Sequence, residues 1–393
     1  MKVVSSSGRT LSIDAFRGLT IFVMVFVNQL AGVAGMPDWL RHMPADADGM
    51  TSVDVVFPAF LFIVGMSLPL ALRQRRARGE AGWRLWQHVL VRTLGLLVFG
   101  VFMVNAESGY SERHMVMPIA LWSLLFYAAA LLVWLDDRGR TSAATRWRRG
   151  LGIAALVVLA LLYRGGADGS EPMTPQWWGI LGLIGWAYLI ACVLNEFARA
   201  RVAMLALMIV ACLAYACAAR SIAAPAPQWL LSQPGHAVHA AIVLCGALLS
   251  TLCFDPASPR TPGAAAARSV LLALVLALAG ALLRSYSISK IHATPSWALY
   301  SAAWCALLFG LLHWLIEERG LRAWTRLVQP AAVNPLLAYL IPFVAFAAMQ
   351  WLGLAWPAVF AQGLPGLAWA LLHAVVVMGL AEGLNRARIR LLL

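Results

Sequence analysis

The sequence predicts an all-α polytopic membrane protein, a bundle of about 12 transmembrane helices around a central cavity with both termini cytoplasmic. Three observations carry that expectation. Hydrophobic residues are 62% of the 393 and charged residues only 12%, against roughly 25% charged in a soluble chain. Apolar runs near 20 residues recur along the whole length, the size that crosses a ~30 Å hydrocarbon core. Basic residues gather in alternate connections, as the positive-inside rule requires of cytoplasmic loops.

Taken in order, the first run is Leu11 to Leu30. It has no small-residue cleavage site and holds Asp14 and Arg17 in its first turns, so it reads as a retained helix and not a signal peptide. Further spans follow at 52–72, 85–105, 115–135, 150–163, 177–197, 202–222, 237–253, 269–284, 295–316, 331–351 and 364–384. Between them, RQRRARGEAGWR, DDRGRTSAATRWRRG, NEFARAR, SPRTPGAAAARS, EERGLRAWTR and the terminal NRARIR mark one side of the membrane. Only Arg41, Arg113, Arg164, Arg220, Arg284 and Lys290 fall on the other, and Arg92 lies within a span. The net charge of +13 is therefore topology, and no nucleic-acid partner is expected. The Pro-, Gly- and Ala-rich stretches Ala223–Gly235 and Asp255–Ala267 read as surface loops. Residues 1–393 form a single domain that opens with the hairpin 11–72. All six cysteines sit in or beside apolar runs without metal-ligand spacing, so neither a disulfide nor a metal site is expected. Trp pairs such as Trp177 and Trp178 fall near span ends, as an interfacial belt requires.

Chemistry concentrates at the outer ends of a few spans. In LSIDAFRGLTIFVMVFVNQL, Asp14 and Arg17 stand at i,i+3 and can pair. Ionisable groups inside a span face a cavity or a partner; the plain alternative is an ion pair anchoring the helix end. Asn28 lies about three turns beyond Arg17 on roughly the same face, suited either to a site or to a helix–helix hydrogen bond. The loop RHMPADADGMTSVDVVFP brings His42 near Asp54, which sits just inside the second span. Histidine accepts and returns a proton near neutral pH, and a carboxylate fixes its tautomer and stabilises the imidazolium. Asp46 and Asp48 read as solvated loop acids that can cap the second helix. On the same predicted side, SYSISKIHAT offers Ser289, Lys290 and His292 as acceptor-binding residues, or as an ordinary solvated loop.

The run SIDAFRGLTIFVMVFVN, the histidine loop and DADGMTSVDVVFPAFLFIVGMS resemble the signature of the transmembrane amino-sugar acetyltransferases, the heparan-α-glucosaminide N-acetyltransferase-like family with its bacterial NagX-type members. WWGILGLIGWAYL, SISKIHATPSWALY and NPLLAYL extend the resemblance over most of the chain. It departs at Arg113–Trp122, RHMVMPIALW, which lacks the family's Gln-Arg pair. The resemblance implies that acetyl-CoA donates an acetyl group from the cytosolic side to an amino sugar on the far side. By position it implies a catalytic His42, with Asp54 as the matching aspartate and Asn28 as the matching amide. Donor contacts are expected from Arg17 and Asp14. The implied location is the bacterial inner membrane, with an amino-sugar or glycan acceptor and the lipid bilayer as partners; self-association into a homo-oligomer is compatible with the sequence. The rival reading is an inner-membrane transporter of N-acetylglucosamine or a related sugar that uses the same cavity without covalent chemistry.

Overall fold

The computed structural model describes residues 10–80, 82–137, 142–199, 201–221, 233–255 and 261–392. Lys2, Arg9, Arg138, Arg140, Arg260 and most of the loop Ala223–Gly235 lie outside the described residues. Among the described residues there are thirteen α-helices: α1 (Leu11–Leu30), α2 (Val56–Ala77), α3 (Trp83–Glu107), α4 (Ile119–Trp134), α5 (Ala143–Leu162), α6 (Gly179–Ala198), α7 (Val202–Ser221), α8 (Pro234–Phe254), α9 (Ala264–Leu282), α10 (Pro295–His313), α11 (Thr325–Val333), α12 (Pro335–Trp351) and α13 (Gly363–Arg386).

Every predicted span lands on a helix, with two qualifications. Among the described residues nine helices are long and apolar enough to cross a membrane, ten if the α11–α12 pair counts as one. The chain is thus a multi-pass helical membrane protein, but not every helix meets the length and polarity of a full span. Helix α4 has 16 residues, short of the ~20 that a span needs. Helix α5 carries Arg146, Arg148 and Arg149 in its first two turns. The eleventh predicted span is two helices meeting at 90°. Pro335 disfavours helical backbone at the residue before it, and Asn334 adopts φ −140°, ψ 69°.

Packing fixes where the signature hairpin sits. Helix α8 is the most enclosed span, with 89% of its central window buried, and it packs on α2, α6, α7 and α10. The α2–α8 crossing is backbone on backbone. A Cβ on Gly65 would overlap the Val243 carbonyl, and one on Gly246 would overlap the Phe62 carbonyl, the small-residue contact that membrane helices use for close approach. On the other side α1 packs against α11 and α13. Its first-turn donors are partly satisfied from outside the helix, since the N–H of buried Ser12 donates to Glu317 Oε1 at 3.1 Å. Past α13 the chain doubles back: Leu391 N–H reaches Asn334 Oδ1 (3.4 Å) and Leu392 N–H donates to Trp134 O (3.0 Å). Both ends of the described chain, Thr10 and Leu391–Leu392, line one cavity; that end of the bundle is the basic face, and the α1–α2 loop lies at the opposite, far face.

Candidate active site

Asp54 is built into the start of α2 by its own local sequence. In Thr51-Ser52-Val53-Asp54, the Asp54 side chain reaches back three residues, and its Oδ2 accepts from Thr51 N–H (3.1 Å) and Thr51 Oγ1–H (3.2 Å). This is the acid half of a capping box with aspartate in place of glutamate; the Thr51 hydroxyl donates to Arg41 O as well (2.7 Å) instead of accepting from the helix start. The same oxygen accepts from Met43 N–H at 3.2 Å, which draws the His42 backbone over the helix start. The other oxygen, Oδ1, takes His42 Nδ1 at 2.8 Å. The carboxylate side chain is 1% exposed and the imidazole 41%. A carboxylate only accepts, so the bond places the neutral ring's proton on Nδ1 and leaves the lone pair on Nε2.

The second predicted loop arrives at the same point. Lys290 Nζ lies 3.1 Å from His42 Nδ1, 3.4 Å from Nε2 and 3.9 Å from Asp54 Oδ1. Its side chain is 20% exposed, and burial pulls the ammonium below the ordinary lysine range, with the Asp54 charge acting in the opposite sense. Two contacts lock the loops together. Asp48 Oδ1 accepts from Ile288 N–H (2.6 Å) and from Arg284 (3.1 Å), while Gly49 N–H donates to Ile288 O (3.0 Å). Asp48 is thus the solvent-exposed acid that the sequence suggests, half exposed at 50%, but it clamps the two loops and does not cap the helix; Asp46 is exposed.

The remaining predicted residues separate. Ser289 is buried and spends its groups on its own turn: its N–H donates to Thr294 Oγ1 (3.0 Å), and its hydroxyl accepts from His292 N–H (3.3 Å). His292 is exposed, and its carbonyl accepts from Arg220 (2.8 Å). Asn28 is exposed in the last turn of α1, and no hydrogen bond joins it to His42 or Asp54. Asp14 and Arg17 pair at 2.8 Å, and Arg17 also donates to Ser67 on α2 (2.7 Å); both line the basic-face cavity.

That cavity holds about 810 Å³ between α1, α2, α3, α6 and the α11–α12 break, within the ~300–1,000 Å³ of ordinary ligand sites. Arg17, Arg73, Arg75, Arg78, Arg92 and His88 line it with Tyr188. Arg92 stacks on Tyr188 (5.0 Å), and its buried Nε has no hydrogen-bond partner among the described residues. Such a set suits an anionic, phosphorylated tail. The lining runs along α1 to Met24 and along α2 to Phe60 and includes Ile180 and Leu181 at the start of α6; His42 and Asp54 are not in it. Phe60 lies six positions beyond Asp54, about 9 Å along a helix, with Phe57 buried between. Cavity and far-face cluster are thus two compartments in this structure.

Three contributors escaped the sequence reading. Thr51 was legible, because T-x-x-D before an apolar run is a capping-box spacing. Arg92 was visible as an arginine inside a span but had no partner in sequence to give it a role. Asp48 carried no signal, since its partners are 236 and 240 residues away.

Comparison with known proteins agrees with the hairpin's position. Residues 9–164 match the family model described as Domain of unknown function (DUF5009), a stretch that includes His42 and Asp54 but not Lys290. The chain is 36% identical over 97 residues to the human heparan-alpha-glucosaminide N-acetyltransferase, covering 25% of this chain and 14% of that protein. To the mouse protein of the same name it is 36% identical over 101 residues, 26% and 15% respectively. The matched stretch is thus a small part of the relatives' length, and the relation to a membrane N-acetyltransferase is partial.

Proposed function

We propose that this protein is an inner-membrane acyltransferase that moves an acetyl group from cytoplasmic acetyl-CoA to an amino sugar or envelope glycan at the periplasmic side. The observation that carries the reading is His42 held by a buried Asp54, with one ring nitrogen committed to the carboxylate and the other left basic. The partial relation to a membrane N-acetyltransferase supports it. So does the arginine-lined cavity on the basic face, which by the positive-inside rule is the cytoplasmic one.

A thioester bound in the cavity supplies an activated acyl carbon; the chain's own residues do the rest. Arg73, Arg75 and Arg78 hold the phosphates at the rim, while Arg92, inside α3, and Arg17, fixed by Asp14 and Ser67, stand within the helices. At the far face His42 Nε2 takes a proton from the acceptor amine as its nitrogen attacks, a contribution of roughly 10²–10⁴-fold. Asp54 stabilises the imidazolium, and its second oxygen, tied to Thr51 and Met43, keeps the carboxylate from following the proton. Asn28, at the outer end of α1, is the amide assigned to the developing oxyanion. Transfer requires the turn of α2 between Phe60 and Asp54 to part from its neighbours.

The transporter reading is favoured by one feature: the broken α11–α12 segment lines the cavity through Ala332, Val333 and Pro335, and interrupted helices form substrate sites in many carriers. One pair of assays separates the two. Purified protein with acetyl-CoA and glucosamine should release free CoA, and His42→Ala should abolish the release. Uptake of labelled sugar into proteoliposomes without acetyl-CoA, unaffected by His42→Ala, would establish the transporter instead.

A further inference from the structure

Of the 30 basic residues outside histidine, only Lys2 and Lys290 are lysines. Everywhere else in the described chain a positive charge is an arginine, so Lys290 stands out as a primary amine more than as a cation. It is also the amine set against the base. His42 Nδ1 is spent on Asp54, so Nε2 holds the only free ring lone pair, and Lys290 Nζ is 3.4 Å from it. The same Nζ is 3.1 Å from Nδ1, so it lies against the ring within reach of both nitrogens, and an acceptor amine handing its proton to Nε2 must come within hydrogen-bond reach beside it.

We propose that the Lys290 amine stands in the acceptor amine's place, and that Nζ is acylated by the protein itself when an acyl-CoA is supplied without acceptor. The inference rests on the acyltransferase reading. The backbone around Lys290 holds the amine in position: the Ser289–Thr294 turn is closed by three bonds, and Asp48 clamps the preceding Ile288. Only the side chain can withdraw, so an incoming amine displaces the lysine tip and not the loop. Burial that weakens the hold on the Lys290 proton increases the share of the neutral, nucleophilic form. In the step itself the Nζ lone pair forms the N–C bond to the acyl carbon and the C–S bond breaks with its electrons on sulfur. The proton lost from Nζ passes to His42 Nε2 and from there to the departing thiolate or water. An amide remains, its charge gone and its nitrogen no longer basic, and the acceptor position is blocked.

The test uses the purified full chain in detergent with isotopically labelled acetyl-CoA, read by peptide mass spectrometry. The expected result is one acetyl group on Lys290, reduced at least about tenfold both in His42→Ala and by saturating glucosamine. No such label should appear on that peptide in Lys290→Arg. Labelling of Lys2 serves as the reference for uncatalysed acylation. The proposal is overturned if Lys290 stays unmodified in a preparation that releases CoA with glucosamine, because transfer then occurs without the lysine acting as acceptor. Equal labelling in wild type and His42→Ala also overturns it, since the reaction is then plain chemical acylation. Absence of both CoA release and label with every amine tried removes the acyltransferase reading, and this inference with it.

Discussion

Asp54 divides its two oxygens between His42 on one side and the Met43 and Thr51 backbone on the other, and under the proposed function the division can be measured. Asp54→Asn keeps the shape but can present an amide N–H to His42 Nδ1, which favours the wrong tautomer. It should lower kcat by roughly 10²-fold or more with a small change in melting temperature. Asp54→Ala also leaves the Met43 and Thr51 N–H groups without their acceptor, and should cost about 1–3 kcal/mol of stability in addition. Lys290 gives a pH signature. Its neighbours are Asp54 and His42, with Arg41 beside the ring in sequence and the Asp48–Arg284 pair behind. The folded chain binds the Lys290 proton less tightly than the unfolded chain, whose lysine value is about 10.4. The penalty for burying the ammonium is therefore complete below the lowered pKa and vanishes as pH rises through it towards the ordinary value. Wild type should accordingly gain melting temperature relative to Lys290→Met between neutral pH and about pH 10, followed by tryptophan fluorescence. A constant difference across that range would contradict the assignment.

At the scale of elements, two loops and one crossing make the site. Asp48→Ala releases the 284–294 loop from the histidine loop without touching a helix. It should lower both transfer and Lys290 acylation severalfold while the melting temperature moves by little, because Asp48 is half exposed (50%) and surface pairs are worth little. Unchanged kinetics would mean that the loops are held together by the Gly49–Ile288 contact alone. The α2–α8 crossing behaves oppositely. Gly65→Leu places a side chain against the Val243 backbone, so α2 must move away, taking Asp54 with it; loss of folded protein in detergent is the expected outcome. The His–Asp hairpin was readable because its two residues are twelve apart and the helix-start spacing is local. The Asp48 clamp, the separate fates of Ser289 and His292, and the exposed position of Asn28 depend on how α10 docks against α2, which no local pattern reports.

At the scale of the whole molecule, the proposed reaction has a donor held in the basic-face cavity serve a base at the far face. Arg92→Gln should raise the KM for acetyl-CoA by about tenfold, with a smaller effect on kcat, and should flatten its salt dependence, since a cation lining the donor cavity is lost. An unaltered KM would place the phosphates elsewhere. Phe60→Trp fills the α2 end of the cavity lining and should lower kcat more than donor affinity if the acyl arm passes that residue. Orientation is checked separately: single cysteines near position 46 and near position 79 should react with impermeant reagents from opposite sides of the membrane. Reaction from the same side would overturn the assigned faces.

Composition and charge placement alone determine that this chain lies in a membrane as a set of helices, because spanning length and burial of backbone hydrogen bonds leave no other solution. They also place the helices, and the α1–α2 hairpin draws attention by an acid just inside a span close to a histidine. Only the tertiary structure decided that Lys290, 248 residues from His42, meets that ring, that the eleventh span breaks at 90°, and that the arginine-lined cavity is lined by neither His42 nor Asp54. Those outcomes come from glycine-permitted backbone crossings and from side chains pairing across the bundle. Their energies depend on distances in space that the order of residues does not contain.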